Sequence, residues 1–222
     1  MLTGSSGLVG QAARPALAAA GWAVRPFDVI HGQDLRDAHA VLDAMQGCDA
    51  VVHAGALAHD TAGSPVDIVS INLLGTWHVL VAAETRGVSR VVYFSSAQVF
   101  GFTEGEGTPA YLPVDDDHPL TAARPYGMSK RLAEEMCQAW TSRTGIPTIV
   151  LRPIQILNDQ SLASYSAEAE ELDFVHVDDV ASAVVRALSA DVAGHHRLTL
   201  CGRGPFDTTR TESTIGWKPA RT

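Results

Sequence analysis

Short apolar runs alternate with helix-forming segments along the first three-quarters of the chain. Helical periodicity covers 11–20, 66–86 and 125–144, and a glycine of the kind that ends helices follows each segment. A shorter helix is predicted at 38–45. The apolar runs have the length of strands and lie at 22–30, 50–54, 90–95 and 148–151. Repeated β-α-β alternation predicts an α/β fold with a doubly wound parallel sheet and helices on both faces.

The alternation weakens in the last quarter of the chain. A strand at 172–177 and a helix at 178–190 are still predicted, whereas the last 30 residues have an irregular pattern. We therefore expect a first domain over 1–157 and a small C-terminal appendage over 158–222. Within that appendage, 172–190 is expected to pack back on the first domain.

The composition excludes several classes of partner. The 222 residues include 16 basic and 25 acidic side chains, a formal net charge of −9, and no basic run. Neither a nucleic acid nor an anionic membrane surface is therefore expected to bind. No leader-like segment opens the chain, no apolar run approaches the length of a membrane helix, and Cys48, Cys137 and Cys201 lack zinc-ligand spacing. These features predict a cytoplasmic protein with reduced cysteines and no metal site.

Three glycines precede the first helix at a G-x-x-G-x-x-G spacing. Gly4 permits a tight turn, Gly7 lets the backbone approach a pyrophosphate, and Gly10 allows the helix to pack closely on a strand. The N-terminus of the helix then presents N–H groups to the anion. Such a spacing also occurs in ordinary turns. As a phosphate-binding turn of a Rossmann-type domain, it predicts dinucleotide contacts from Gly4, Ser6, Gly7, Leu8, Val9 and Gly10.

A carboxylate follows this turn at the spacing expected for ribose recognition. Asp28 lies 18 residues beyond Gly10, within the next apolar run. A carboxylate at this position accepts hydrogen bonds from the adenosine ribose hydroxyls and repels a 2′-phosphate, so NAD is predicted rather than NADP. The alternative interpretation is a solvated turn residue.

The strand expected before the glycine turn is represented only by Met1 and Leu2. Either the chain is a shortened version of a longer protein, or its sheet has a very short strand at the centre. Because that strand anchors the turn, both interpretations predict a weaker hold on NAD.

A tyrosine and a lysine lie four residues apart on the predicted helix at 125–144. Tyr126 and Lys130 therefore share one helix face. A lysine ammonium favours a neighbouring phenolate and lowers the pKa of the phenol from about 10 toward neutrality, which suits acid/base catalysis. An ordinary surface pair has the same spacing. Ser95 and Ser96, at the end of the preceding apolar run, add hydroxyls that can bond the same substrate oxygen.

These segments resemble the extended short-chain dehydrogenases/reductases of the NAD-dependent epimerase/dehydratase family, which includes sugar-nucleotide epimerases and dehydratases. The resemblance covers nearly the whole chain, and its segments follow the family order. They are 3–10 (TGSSGLVG), 34–37 (DLRD), 51–56 (VVHAGA), 72–76 (NLLGT), 94–101 (FSSAQVFG), 126–130 (YGMSK), 151–153 (LRP) and 173–181 (DFVHVDDVA).

The resemblance implies catalytic and cofactor-binding roles. Tyr126 would be the acid/base, Lys130 would tune its pKa and bind ribose hydroxyls, and Ser96 would orient the reacting oxygen. The other implied cofactor contacts are Asp34 and Leu35 at the adenine, Ala54, Gly55 and Ala56 beneath the cofactor, Asn72 at the phosphates or ribose, Ser95, and Pro153 near the nicotinamide. Leu35, Ala54 and Ala56 could also be core residues, and Asn72 a helix-surface amide. His53 and His176 are interpreted as structural.

The resemblance further implies a sugar or sugar-nucleotide substrate bound at the C-terminal appendage, and a homodimer formed through the helices at 66–86 and 125–144. Phe100 replaces the family's usual tyrosine, and Gln155 replaces the asparagine of some epimerases. Ala97 and Gln98 occupy the positions of the Asp-Glu pair of 4,6-dehydratases, which are therefore the least favoured type.

The family's basic residues for a nucleotide diphosphate normally lie in a substrate-binding insertion. The corresponding segment here, 158–172, is much shorter and contains no lysine or arginine. Three functions stay open: a sugar-nucleotide 4-epimerase or related dehydrogenase, a simple NAD-dependent dehydrogenase/reductase of a non-nucleotide substrate, and a catalytically weak NAD(P)-binding regulatory protein. The acidic segment 115–117 is interpreted as a solvated turn rather than a metal site.

Overall fold

Six parallel strands form the central sheet in a computed structural model that describes residues 1–105, 107–165 and 172–221. A separate parallel pair, β6 and β7, lies outside the sheet. The strands are β1 (Leu2–Thr3), β2 (Pro26–Phe27), β3 (Ala50–His53), β4 (Arg90–Phe94), β5 (Thr148–Pro153), β6 (Ile156–Leu157), β7 (Val175–His176) and β8 (His195–Leu200). The order in the sheet is β2-β1-β3-β4-β5-β8.

Helices connect the strands and cover the sheet. A π-helical turn, Ser70–Leu74, joins α3 to α4 in one continuous helix. The helices are α1 (Leu8–Ala19), α2 (Ala38–Ala44), α3 (Pro65–Val69), α4 (Gly75–Arg86), α5 (Pro125–Thr144), α6 (Asp159–Ser164), α7 (Val177–Ser189) and α8 (Thr209–Ile215). Short 3-10 turns follow β2 at Val29–His31 and β4 at Ala97–Phe100.

Both faces of the sheet are buried. Successive strand residues point to opposite sides, so each strand contributes side chains to both cores. On β4, Val92 and Phe94 pack in the core on the side of α1 and α7. Val91 and Tyr93 pack in a second core with α2, α4 and α5. This arrangement confirms the predicted doubly wound, Rossmann-type sheet.

The first strand lies at the centre of the sheet although it has only two residues. Leu2 pairs with Pro26 on β2 and with Val52 on β3, both in parallel register. Strand β2 lies on one side of β1, whereas β3 and the later strands extend from its other side. The strand order therefore reverses between β1 and β3. A crevice at such a switch point is where open α/β sheets bind ligands.

A buried histidine links this short strand to its surroundings. The Nδ1 atom of His53 lies 2.7 Å from the Thr3 hydroxyl, and its Nε2 atom lies 3.0 Å from the Thr76 hydroxyl. Burial lowers the pKa of His53 to about 3, so the ring is neutral at physiological pH. These contacts agree with a structural role for His53. His176 caps α7, since its Nδ1 accepts a hydrogen bond from the Asp178 N–H at 3.2 Å.

Two predicted segments differ from the structure. The run 22–30 is a strand only at Pro26–Phe27, because Asp28 accepts a hydrogen bond from the Ile30 N–H and starts a 3-10 turn. The last 30 residues are not irregular, since they contain β8 and α8. The polar first half of β8, His-His-Arg, suits the edge of a sheet and hides the strand pattern in the sequence.

The C-terminal quarter packs closely on the rest of the chain. Helix α7 buries Val180, Ala183 and Val184 in the same core as Ala13 and Leu17 of α1. The division into 1–157 and 158–222 stays a prediction, and residues 166–171 of that second region lie outside the described residues.

One helix differs from the composition-based expectation about membranes. Pro65–Arg86 is long and apolar enough to cross a membrane, and part of it is buried in the fold. Its inward face packs Ile68, Val79 and Leu80 within the fold, each fully buried. A core helix of a soluble protein passes the same test, so this finding is weak evidence for a membrane span.

Candidate active site

A cavity of about 1370 Å³ opens where the carboxyl ends of β1 to β5 meet. Because the strands are parallel, the segments that follow them converge at this edge of the sheet. Most of the predicted site residues line the cavity, and the exceptions are Gly10 and Asn72. The lining members are Gly4, Ser6, Gly7, Leu8, Val9, Asp28, Asp34, Leu35, Ala54, Gly55, Ala56, Ser95, Ser96, Tyr126, Lys130 and Pro153.

Two glycines are required by the backbone of the turn between β1 and α1. Gly4 has a φ of +64°, and a Cβ there would lie 2.7 Å from the Gly55 backbone. A Cβ on Gly10 would lie 2.3 Å from the Gly4 carbonyl oxygen, so Gly10 supports the turn from below instead of facing the cavity. Gly7 is the N-cap of α1, which has neither a side-chain cap nor an acidic residue in its first turn. The positive end of the α1 dipole is therefore left for an anion.

Asp28 connects the end of β2 to the glycine turn. Its Oδ2 atom accepts a hydrogen bond from the Ser6 N–H at 2.8 Å, and its Oδ1 atom accepts one from the Ile30 N–H at 3.2 Å. The carboxylate is half-buried in the cavity wall, unlike a solvated turn residue. Nearby, Arg36 forms a bidentate ion pair with Asp34, which lowers the pKa of the Asp34 carboxyl.

Lys130 is buried beside Tyr126 on the first two turns of α5. Its Nζ atom donates a 2.7 Å hydrogen bond to the Phe94 carbonyl oxygen and lies 5.9 Å from the centre of the Tyr126 ring. Burial lowers the pKa of Lys130 to about 7. The Tyr126 N–H donates to Asp60 Oδ1 at 2.7 Å, which anchors the start of the helix. An acid/base candidate and a titratable ammonium thus share one wall of the cavity.

The two serines after β4 have different contacts. The Ser96 hydroxyl accepts a hydrogen bond from the Gln98 N–H at 3.1 Å and caps the 3-10 turn that follows. The Ser95 hydroxyl donates to Glu134 Oε1. Ser95 therefore belongs to a buried polar network, whereas the Ser96 hydroxyl bonds to the backbone of the turn that it caps.

A buried ion pair beneath the site was missed by sequence reasoning. Arg152 donates from Nε to Glu134 Oε1 at 2.9 Å, and both side chains are at most 1% exposed. Glu134 also accepts the Ser95 hydroxyl, so the pair joins α5, β5 and the end of β4. A signal was present, since Tyr126, Lys130 and Glu134 follow one another at intervals of four on a single helix face.

The prediction of a solvated turn at 115–117 is wrong for Asp116. This residue is only 3% exposed, and its Oδ1 atom accepts a hydrogen bond from the Thr199 hydroxyl at 2.6 Å. Its carbonyl oxygen accepts from Arg152 at 2.9 Å, and burial raises the pKa of its carboxyl. Within 1–105, 107–165 and 172–221, no group of three or more histidine, cysteine or acidic residues could hold a metal ion.

Asn72 has a supporting position and does not reach the cavity. Its amide donates to the Leu57 carbonyl at 3.0 Å and to the Ser129 hydroxyl at 3.1 Å, while its oxygen accepts from the Leu57 N–H at 2.8 Å. These bonds satisfy the buried amide. Leu57 itself lines the cavity, so Asn72 positions part of the wall.

Comparison with known proteins agrees with this geometry. The sequence profile of one family, described as the NAD dependent epimerase/dehydratase family, matches residues 1–160. The chain belongs to this NAD dependent epimerase/dehydratase family.

Curated members of the family align over much of the chain. GDP-6-deoxy-D-mannose reductase of Pseudomonas aeruginosa is 31% identical, with 87% of this chain and 71% of that protein covered. Uronate dehydrogenase of Pseudomonas syringae is 29% identical over 68% of this chain and 57% of its own length, so the match spans less than two thirds of that relative. The solved structure of a mutated uronate dehydrogenase superposes with a TM-score of 0.80 at 26% identity, covering all of this chain and 81% of that one.

NAD is the cofactor of the family, and the residues of the cavity fit it. A dinucleotide needs an anion site, a ribose acceptor and a long cavity. Here the uncapped N-terminus of α1, the Asp28 carboxylate beside it and the continuation of the cavity to Lys130 provide these three features.

Proposed function

We propose that this oxidoreductase transfers a hydride between NAD and a hydroxyl-bearing carbon of a sugar or sugar nucleotide, with Tyr126 as the acid/base. The observation that carries this proposal is the common cavity: Ser96, Tyr126 and Lys130 line it together with the glycine turn and Asp28. When bound, NAD supplies the hydride acceptor, and its reduced form the donor.

The proposed cofactor contacts follow from the lining of the cavity. The turn at 4–9 would hold the pyrophosphate through backbone N–H groups, and Asp28 would accept the ribose hydroxyls. Asp34 and Leu35 would flank the adenine, Ala54, Gly55 and Ala56 would lie beneath the cofactor, and Pro153 and Lys130 would face its nicotinamide half. Gly10 and Asn72 act indirectly, by supporting the turn and the loop that carries Leu57.

Tyr126 would remove the substrate hydroxyl proton during oxidation and return it during reduction. The Lys130 ammonium favours the phenolate through its positive charge, and the phenolate favours the ammonium in turn. The Ser96 hydroxyl would hold the same substrate oxygen. Acid/base catalysis of this kind contributes about 10²–10⁴-fold to the rate.

The reaction type follows from what happens after the first hydride transfer. A 4-epimerase returns the hydride to the other face of the same carbon, whereas a dehydrogenase releases the reduced cofactor. Ser96, Tyr126 and Lys130 serve both reactions. We place this chain with the sugar-nucleotide 4-epimerases or the related dehydrogenases, and a dehydratase is disfavoured because Ala97 and Gln98 follow Ser96.

A second candidate is a simple NAD-dependent dehydrogenase or reductase of a non-nucleotide substrate. One observation favours it: among the described residues, the cationic side chains that line the cavity are Arg36 and Lys130. Arg36 is paired with Asp34, and Lys130 is bonded to the Phe94 carbonyl. Neither is free to clamp a substrate diphosphate.

The test compares Tyr126→Phe with the unaltered chain on a panel of sugars and sugar nucleotides, with cofactor absorbance and product chromatography as readouts. We expect turnover to fall about 10²–10⁴-fold, with the Kd for NAD unchanged. Tyr111→Phe, at an exposed tyrosine, is the matched control. Undiminished turnover of Tyr126→Phe would contradict the mechanism. NAD binding without turnover by the unaltered chain would favour a regulatory protein.

We also propose a homodimer formed through the helices at 66–86 and 125–144. Val66, Leu74, Trp77 and Val81 are exposed apolar residues on α3, the π-helical turn and α4. Covering such side chains stabilises an interface. Sedimentation of Trp77→Glu against the unaltered chain tests this proposal, and an unchanged mass would contradict it. The cytoplasmic location stays a prediction.

A further inference from the structure

Helix α5 begins without a cap from its own side chains. Its N-cap residue, Arg124, makes no side-chain cap hydrogen bond, and Pro125 at the first helical position has no N–H group. The first N–H group of the helix therefore belongs to Tyr126. It donates to the Oδ1 atom of Asp60 at 2.7 Å, across 66 positions of the sequence. A carboxylate on the loop between β3 and α3 thus caps the helix, where its charge also suits the positive end of the helix dipole.

The backbone of Tyr126 is held at its carbonyl group as well. The Ser129 hydroxyl donates to the Tyr126 carbonyl oxygen at 2.7 Å and accepts a hydrogen bond from the Asn72 amide at 3.1 Å. Asn72 in turn bonds both the N–H and the carbonyl of Leu57, on the same loop as Asp60. These bonds and the short stretch 57–60 make a closed ring, in which the Asp60 carboxylate joins the loop to the tyrosine.

One segment of this ring lies against the cofactor half of the cavity. Residues 54–58 line the cavity, whereas Asp60 is half-buried and lies outside the lining. A backbone turn holds the carboxylate close to that segment, since the Ala62 N–H donates to the His59 carbonyl at 3.0 Å. The chain between the lining and Asp60 is short and leaves little slack. A cofactor packed on 54–58 would therefore restrain Asp60 and, through it, the backbone of Tyr126.

We propose that Asp60 is a positioning residue for Tyr126, and that bound NAD and this helix cap stabilise each other. With the cap in place, the first turn of α5 keeps the phenol in one position relative to the cofactor-binding loop. Without the cap, the first turn frays, and the reacting groups spend less time in the aligned geometry that hydride and proton transfer require. This inference rests on the proposed role of Tyr126 as the acid/base. The coupling between NAD and the cap is measurable without turnover.

Amide hydrogen exchange at Tyr126, resolved by NMR on the full chain, tests the coupling. We expect NAD to slow this exchange about threefold or more in the unaltered chain, and Asp60→Ala to speed the exchange and abolish its response to NAD. Coupling between two sites is reciprocal, so Asp60→Ala should weaken the Kd for NAD by about the same factor. Asp60→Asn keeps an oxygen that accepts the Tyr126 N–H and should behave nearly as the unaltered chain does.

Steady-state kinetics at saturating NAD tests the positioning, with UDP-galactose and D-galacturonate as probes. Asp60→Ala should lower kcat about tenfold and change KM by less than about twofold, because the displaced group is the acid/base rather than a binding group. Asp60→Asn should restore kcat. The matched control is Asp37→Ala: Asp37 is exposed, lies outside the cavity lining and caps α2 by accepting from the His39 and Ala40 N–H groups at 3.0 and 3.1 Å. Its loss removes a helix cap of the same kind, and kcat should not change.

Three results would overturn the inference and leave the hydride-transfer proposal intact. They are equal exchange at Tyr126 with and without NAD in the unaltered chain, an undiminished response to NAD in Asp60→Ala, and a kcat for Asp60→Ala equal to that of Asp37→Ala. Undiminished turnover in Tyr126→Phe would instead contradict the hydride transfer, while exchange at position 126 still reports the cap, since a backbone N–H forms it. If neither probe is turned over, the exchange rates and the Kd for NAD decide the inference.

Discussion

The Nζ atom of Lys130 donates a 2.7 Å hydrogen bond to the backbone carbonyl of Phe94, which ties helix α5 to the carboxyl end of β4. This bond aligns the helix face that carries Tyr126 with the strand end that carries Ser96. The cost of the arrangement is a buried ammonium, and burial lowers the pKa of Lys130 to about 7. The lysine therefore has both a structural contact and a charge that changes near neutral pH.

Lys130→Met should reduce kcat by about 10²-fold or more, because the phenolate of Tyr126 loses its neighbouring positive charge. Steady-state kinetics across pH 5 to 9 measures the effect, and the variant should lose the limb of its pH profile that belongs to Lys130. Lys218→Met is the matched control, because Lys218 is exposed and forms an ion pair with Glu212 of α8, away from the cavity. Equal kcat in the two variants would contradict the assignment.

Asp28→Asn should weaken discrimination against NADP, because the amide removes the charge that repels a 2′-phosphate. The asparagine oxygen can still accept the Ser6 N–H, so the glycine turn keeps this bond, whereas the Ile30 N–H loses its side-chain acceptor. Asp28→Ala removes both functions and should also weaken NAD about tenfold or more. Fluorescence titration with the two cofactors measures both effects. If neither variant alters either Kd, Asp28 does not belong to the cofactor site.

Arg152→Met should lower the free energy of unfolding by about 3–5 kcal/mol, because it leaves the Glu134 carboxylate buried without its partner. The double variant Glu134→Leu/Arg152→Met should recover much of that loss, since the unpaired Glu134 carboxylate is then removed too. Urea unfolding at pH 7 provides the measurement. Simple additivity of the two single variants would show that the pair is not coupled.

His53 should make the protein sensitive to acid. Its pKa is about 3 in the folded state and 6.5 as a free side chain, so between these values the unfolded chain binds a proton that the folded chain does not. The free energy of unfolding should therefore fall as pH drops through this window, by up to about 1.4 kcal/mol per pH unit.

His53→Gln should flatten this dependence, and His31→Gln, at an exposed histidine, should not. Urea unfolding at pH 6.5, 5.5 and 4.5 provides the comparison. Parallel curves for the two variants would contradict the role of His53.

Several features could be predicted because their causes are local. Helix α5 has the predicted bounds, since Pro125 suits the first helical position and Gly145 the left-handed one that ends it. The glycines of the turn and the spacing from Gly10 to Asp28 are likewise set by backbone geometry over short stretches. Tyr126 and Lys130 share a face because of helical periodicity alone.

Other features depend on residues far apart in the chain. The edge strand β8 has a half-polar sequence and becomes a strand through pairing with β5 over six positions. The burial of Asp116 depends on Thr199 and Arg152, and the amide of Asn72 is used by Leu57 and Ser129. No local pattern shows which distant partner will satisfy a polar group.

The sequence by itself determined the α/β class, the glycine turn, the spacing that places Asp28 after it and the shared helix face of Tyr126 and Lys130, because each depends on spacing within one or two elements. Only the tertiary structure decided how these parts share a cavity, which polar groups support that cavity, and that Asp173 and Phe206 line its wall. The physical reason is that desolvation and hydrogen-bond satisfaction are properties of the packed chain, and the sequence specifies them only through the completed fold.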